Sequence, residues 1–246
     1  MPEFNILEKA GLPQVKKRTR GAVITNDDKK IAEKLDFSFY DGDKSKGYGG
    51  YYYDGRWKIV AEVIKERYDL NKSSKVLIDR CHKGFLVFDL MELIPGILVY
   101  GVHPSEYPIN HAMDGYGRWA LLSEPENKSP IKAENEAKQK IIPYLIKCYS
   151  NNLPFKDNFF DTVISIENAC AYHEKECRKV IKEIIRVSKN NGENCYIQND
   201  SWRNKHEEKK LREWTFLCKT FLNIGEWKKL FVEEKYNGDW GFTIIQ

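Results

Sequence analysis

Between Ser74 and Tyr107 the chain reads SKVLIDRCHKGFLVFDLMELIPGILVYGVHPSEY, and few folds accommodate that pattern. Residues 76–79 are apolar and end on an acid, which predicts a buried strand. Residues 80–84 predict a tight turn, 85–93 an amphipathic helix and 98–102 a second strand. Two strands joined through one helix make a βαβ unit, whose strands run parallel and whose crossover is right-handed. A ligand is expected at the loops that follow the carboxyl ends of such strands. Parallel strands are buried on both faces, so the chain is predicted to be α/β, with helices on both sides of a mostly parallel sheet. Its 246 residues suffice for one large core.

Before this unit, residues 1–26 have a Pro-Gly-basic composition and read as an extended or mobile arm. The basic cluster Lys16-Lys17-Arg18-Thr19-Arg20 reads as solvated, with anion contact as the alternative. A helix is predicted from Asp27 or Asp28 to Leu35, with its acids at the favourable end of the dipole. Residues 41–53, DGDKSKGYGGYYY, interleave glycine with tyrosine. Two readings stay open there: a surface loop pinned by aromatic packing, or a lid over the ligand pocket. A helix capped by Asp54 follows, with Trp57, Val60, Ala61, Ile64 and Tyr68 on its apolar face.

Beyond the central unit, Ser105 and Glu106 start a short helix, and residues 114–130 read as an irregular insertion. Trp119, Leu121 and Leu122 favour a flap packed on the same end of the sheet. Residues 134–142 predict a helix, and 144–148, 163–166 and 193–198 three further strands. Helices are expected at 174–187, 202–222 and 225–234, and residues 240–245 form a last strand. The division is an N-terminal arm and cap over residues 1–53 and an α/β domain over 54–246, with the flap near 114–130.

Lys and Arg number 40 against 36 for Asp and Glu, a net charge of only +4. That balance favours a small-molecule substrate over nucleic acid. No apolar run approaches the roughly 20 residues that span a bilayer, so no membrane role is expected. The six cysteines are scattered rather than framed for disulfides, which points to reduced thiols and a cytoplasmic location.

Two motifs carry a resemblance. Val76-Leu77-Ile78-Asp79-Arg80-Cys81-His82-Lys83-Gly84-Phe85 shares its frame with V-L-D-x-G-C-G-x-G-F. Asn152-Leu153-Pro154-Phe155-Lys156-Asp157-Asn158-Phe159-Phe160-Asp161-Thr162-Val163-Ile164-Ser165 shares L-P-F-x-D-x-x-F-D-x-V-x-S. From about residue 48 to residue 246 the chain thereby resembles the class I S-adenosylmethionine-dependent methyltransferases. The resemblance implies a Rossmann-like, class I methyltransferase-like sheet with an N-terminal helical cap and an antiparallel last strand. It also implies S-adenosylmethionine as cofactor and a small polar metabolite or sugar derivative as substrate.

By position, the resemblance places Asp79, Arg80, His82, Lys83, Gly84 and Phe85 at the cofactor. His103 stands where the family has an acid for the ribose hydroxyls, and Tyr149 or Ser150 falls near the adenine. His173 and Glu167 are the candidate catalytic bases, and Tyr48, Tyr51, Arg56 and Asn168 the candidate substrate contacts. Arg80 and His82 stand where the family has glycine. A Cβ there disfavours positive φ and close backbone approach, and an imidazole cannot accept from two hydroxyls at once. Weak or absent binding of S-adenosylmethionine is therefore expected. Two alternatives remain: a different activity on the same scaffold, using His82 and His103 with a metal or using Arg80 and Lys83 for an anion, and a catalytically silent subunit. Cys170-x-x-His173-x-x-x-Cys177 has ligand-like spacing but reads as packing. The sequence leaves the oligomeric state undetermined.

Overall fold

A computed structural model of the chain describes residues 3–12, 15–16, 24–123 and 129–246. Seven strands form one sheet: β1 (Val15–Lys16), β2 (Lys75–Asp79), β3 (Leu98–His103), β4 (Leu145–Lys147), β5 (Thr162–Ile166), β6 (Cys195–Ser201) and β7 (Asp239–Ile245). Their order is β1-β7-β6-β5-β2-β3-β4, and every pairing is parallel. The order reverses between β2 and β5, the switch point at which doubly wound sheets open a crevice.

The central unit forms where the sequence places it. Its helix is Phe85–Leu93, entered through Gly84 at φ 75°. An added Cβ at Gly84 would stand 2.6 Å from Ile141 Cδ1, so glycine is required there for space as well as for φ. Successive β2 side chains point to opposite faces. Val76 and Ile78 join a core with the helices Arg56–Arg67 and Phe85–Leu93, while Leu77 joins one with Glu174–Val187 and Ile224–Glu233. In Glu174–Val187 the buried residues Cys177, Val180, Ile181, Ile184 and Val187 recur at helical spacing.

Four expectations are corrected. The last strand is not antiparallel: β7 runs parallel to β6 from Tyr196↔Asp239 to Ser201↔Ile244. The connection from β6 contains two helices, Lys205–Trp214 and Ile224–Glu233, and a crossover of that kind returns the chain to the end at which β6 began. The N-terminal residues are not a free arm. Ile6 and Leu7 are buried in a short helix, Phe4 N–H donates to the Trp240 carbonyl at 3.0 Å, and β1 pairs with Ile244 and Ile245. They cover the edge that β7 would otherwise expose. Of the basic cluster, residues 17–20 lie outside the described residues.

Residues 116–123 are a helix, Tyr116–Ser123, not an irregular insertion. The carboxylate of Glu134 accepts from the N–H groups of Gly115 and Gly117 at 3.0 and 3.2 Å, a cap supplied from the following helix. Trp119 stacks edge-on against Tyr53, which seats this helix beside the cap segment. The helix expected over 202–222 stops at Trp214. The chain beyond it is drawn into a different bond pattern, with Lys219 and Thr220 both donating N–H to the Cys170 carbonyl at 2.8 and 3.0 Å.

Candidate functional site

The turn after β2 keeps the backbone of a glycine-rich turn with larger residues on it. Arg80 and His82 have φ of 58° and 52°, followed by Gly84 at 75°. A Cβ in this left-handed region costs about 1–2 kcal/mol per residue, so the turn holds both residues in the conformation that their side chains disfavour. The surrounding bonds hold the turn: Cys81 N–H donates to the Val102 carbonyl, and Gly84 N–H to that of Cys81, both at 2.9 Å.

Above the turn lies a segment whose role the sequence did not show. The short helix Phe37–Tyr40 is followed by Asp41 and the tyrosine loop. Tyr40 is fully buried; its hydroxyl lies 2.7 Å from His82 Nδ1 and 3.0 Å from His103 Nε2. Ser105 N–H donates to His103 Nδ1 at 3.1 Å. Two arrangements satisfy the chain of groups. In one, His103 Nε2–H donates to the Tyr40 oxygen and the Tyr40 hydroxyl to His82 Nδ1. In the other, His103 Nδ1–H donates to the Ser105 carbonyl at 3.1 Å, the Tyr40 hydroxyl donates to His103 Nε2, and His82 Nδ1–H donates to the Tyr40 oxygen. Both imidazoles are neutral in either. Burial, with the positive charge of Arg80, lowers both pKa values, that of His103 to about 3.

Lys83 locks this cap down. Its fully buried ammonium donates to both carboxylate oxygens of Asp41 at 2.9 and 2.8 Å and to Asp114 at 2.9 Å. Asp41 also accepts from the Tyr107 hydroxyl at 2.7 Å and from Tyr51 N–H at 3.1 Å. Burial alone would raise the Asp41 pKa, but these hydrogen bonds, Lys83's first, hold it below the usual carboxylate value.

Beside the turn, on the β5–β6–β7 side, is a chamber of about 360 Å³. Its lining includes Arg80, His82 and Phe85 of the turn, Glu167 after β5, and Tyr48 and Tyr51 of the cap loop. Arg80 is buried and donates through Nη1 to the Glu167 carbonyl at 2.8 Å, while its Nε has no partner among the described residues. Glu167, at φ 54°, accepts from the Thr243 hydroxyl at 3.2 Å.

The predicted residues divide between the chamber and other places. Asp79, Arg80, His82, Phe85, Tyr48, Tyr51, Arg56 and Glu167 line the chamber. Arg56 also pairs with Asp54. Lys83 and His103 are in the lock and the cap network. Asn168 is buried and spends its amide on Asp79 and Ser150, at 2.6 and 2.9 Å. Tyr149 is exposed, and His173 is an exposed residue at the start of the helix Glu174–Val187. Neither is at the chamber wall. Cys177 lies in the core, so the Cys170–His173–Cys177 spacing gathers no ligand set. His82 and His103 meet through Tyr40 rather than through a third metal-ligating side chain. Sequence reasoning missed Tyr40, Asp41, Asp114 and Asp200, although the run Phe37-Ser38-Phe39-Tyr40 before the glycine-tyrosine loop is an aromatic signal for a cap.

A parallel doubly wound sheet with its chamber at the switch point, under an N-terminal cap, defines a class I methyltransferase-like domain. The methyltransferase domain family matches residues 81–195, from the central turn to the first residue of β6. Among solved structures, the chain is similar to the partner protein determined in complex with the Haloferax volcanii Trm112 methyltransferase activator. They share 16% identity over 74% of this chain and 72% of that one, with a TM-score of 0.48. It is also similar to the [4+2]-cyclase SpnF, at 18% identity over 61% of this chain and 46% of that one, TM-score 0.41. An Aquifex aeolicus SAM-dependent methyltransferase gives 18% identity, 56% and 63% coverage and a TM-score of 0.38. The chain thus spans about half the length of SpnF. No curated protein sequence matches. No helix among the described residues is long and apolar enough to cross a membrane.

Proposed function

We propose that this methyltransferase-fold chain is an enzyme that takes a small, polar, acid-bearing metabolite into the chamber lined by the tyrosine loop. Arg80 carries the reading: a buried guanidinium on the chamber wall whose Nε is unpartnered among the described residues. A buried charged donor of this kind is costly to leave unused, and a carboxylate or phosphate would satisfy it. Glu167, in the chamber lining next to Arg80, is the base candidate; His173 is not in that lining.

S-adenosylmethionine is the cofactor that a methyltransferase domain implies. In the capped arrangement the residues do not fit it. Tyr40 fills the space beside His103 where ribose hydroxyls would be held, and His103 already spends both ring nitrogens on Tyr40 and Ser105. The chemistry is therefore assigned to a ligand of the chamber, and the seat beside His103 to a state in which the cap has lifted.

Thermal-shift and calorimetric titration with a panel of small carboxylates, phosphates and S-adenosylmethionine tests this. Stabilisation by an acidic metabolite, lost in Arg80→Gln, is expected. Micromolar binding of S-adenosylmethionine with Tyr40 in place would reject the account of the capped site, and acid binding indifferent to Arg80→Gln would reject the anchor.

A further inference from the structure

The irregular stretch after Trp214 brings Cys218 against Cys170, and Asp200 at the end of β6 joins them. The backbone fixes this meeting. Cys170 N–H donates to Asn199 Oδ1 at 3.0 Å, Cys218 N–H donates to Thr215 Oγ1 at 3.1 Å, and the Cys170 carbonyl accepts from Lys219 and Thr220. The two Sγ atoms and a carboxylate oxygen of Asp200 all lie within 4.8 Å of one another. All three residues line the chamber, and both thiols are buried. Asn199, fully buried beside Cys170, has an Nδ2 without a partner among the described residues.

We propose that Cys170, Cys218 and Asp200 form a binding site for a zinc-class divalent cation whose fourth position opens into the chamber. Two sulfurs and one carboxylate form a donor set that zinc accepts and that magnesium and calcium, which prefer all-oxygen sites, do not. Zinc–sulfur bonds of about 2.3 Å in a tetrahedron put two thiolates roughly 3.8 Å apart, inside the 4.8 Å that the three donor atoms span. Little movement is needed, because the bonds described above hold both cysteine backbones. On binding, each thiol gives its proton to solvent and its sulfur lone pair to the cation, with no redox change. Three protein ligands leave one position for water or for an oxygen of the chamber's ligand, the pattern of catalytic rather than structural zinc. The site depends on these three side chains alone and stands whether or not Arg80 anchors an acid.

The reduced, chelator-treated protein is titrated with Co²⁺ and then Zn²⁺, and bound metal is counted by mass spectrometry. One metal per chain is expected, with a near-ultraviolet sulfur-to-cobalt charge-transfer band that zinc abolishes. Cys170→Ser and Cys218→Ser should each lose the band. Asp200→Asn, at a partly exposed position, should stay folded by circular dichroism and bind about tenfold or more weakly. No metal uptake by the reduced wild-type protein overturns the proposal. So does uptake with the same spectrum and affinity in folded Cys170→Ser or Asp200→Asn, or a Cys170–Cys218 disulfide forming in air when the reduced form takes up no metal.

Discussion

Tyr40 shows how one side chain can set the state of a site. Its hydroxyl serves two imidazoles at once, so Tyr40→Phe removes two hydrogen bonds and leaves two buried ring nitrogens unpaired. A loss of about 1–3 kcal/mol is expected, read as a lower urea midpoint with native circular dichroism retained. The imidazoles also predict a pH dependence. Burial lowers the pKa of His103 from 6.5 to about 3, and that of His82 falls in the same direction. Below pH 6.5 the unfolded chain takes up protons at these rings and the folded chain does not. Their contribution is therefore complete above pH 6.5 and is lost as pH falls through it, by roughly 1.4 kcal/mol per pH unit for each ring. Urea midpoints at pH 7.5, 6.5 and 5.5 should show that decline, and His103→Asn should make it shallower. From the sequence, Arg80 and His82 were visible as substitutions, but their left-handed backbone was not. Strain of that kind is decided by the Val102 and Cys81 carbonyls that grip the turn.

At the scale of elements, legibility followed periodicity. The helices Phe85–Leu93 and Glu174–Val187 were readable to the residue, because their apolar stripes stand between a glycine or turn and a buried strand. The helix Tyr116–Ser123 was not, since its cap is Glu134, a residue of the next helix. The break after Trp214 was hidden because Thr215, Cys218, Phe221 and Leu222 continue a helical stripe while the backbone goes to Cys170. The cap was half legible: its tyrosines were visible, its anchor was not. That anchor, Lys83 between Asp41 and Asp114, makes a prediction about the element as a unit. Lys83→Met leaves the nearly buried carboxylate of Asp41 and the partly exposed one of Asp114 without their cation, costing about 1–3 kcal/mol. Hydrogen exchange over residues 37–53 should accelerate by orders of magnitude while β2 and β5 keep their protection. Equal loss of protection throughout the sheet would mean that the lock holds the whole domain rather than the cap.

At the scale of the whole molecule, the fold class was legible from two short motifs, because a βαβ unit and an L-P-F turn into a buried strand leave little freedom. The direction of β7 was not, since the family pattern implied an antiparallel last strand and the two helices before it run in either case without fixing which way β7 enters the sheet. The place of Tyr40 beside His103 changes what reversion to the family pattern should achieve. Arg80→Gly, His82→Gly and His103→Asp together leave Tyr40 beside residue 103, so on the proposed account of the capped site they are expected to restore little S-adenosylmethionine binding. Adding Tyr40→Ala should bring affinity up at least about tenfold, or some 1.4 kcal/mol, by calorimetry. Full recovery in the triple variant alone would show that Tyr40 yields without help. The edge of the sheet carries a different consequence. Glu3 bridges Trp240, and among the described residues β1 pairs only with β7, so these N-terminal residues bond to strand residues made more than two hundred positions later. During synthesis the backbone of Phe4 and of β1 must wait, unpaired, until β7 leaves the ribosome, while Ile6 and Leu7 pack against the helix Arg56–Arg67. β7 therefore acts as a timing signal: nascent chains stalled before residue 239 should be clipped near residues 3–4 and 15–16, and chains in which β7 has emerged should not.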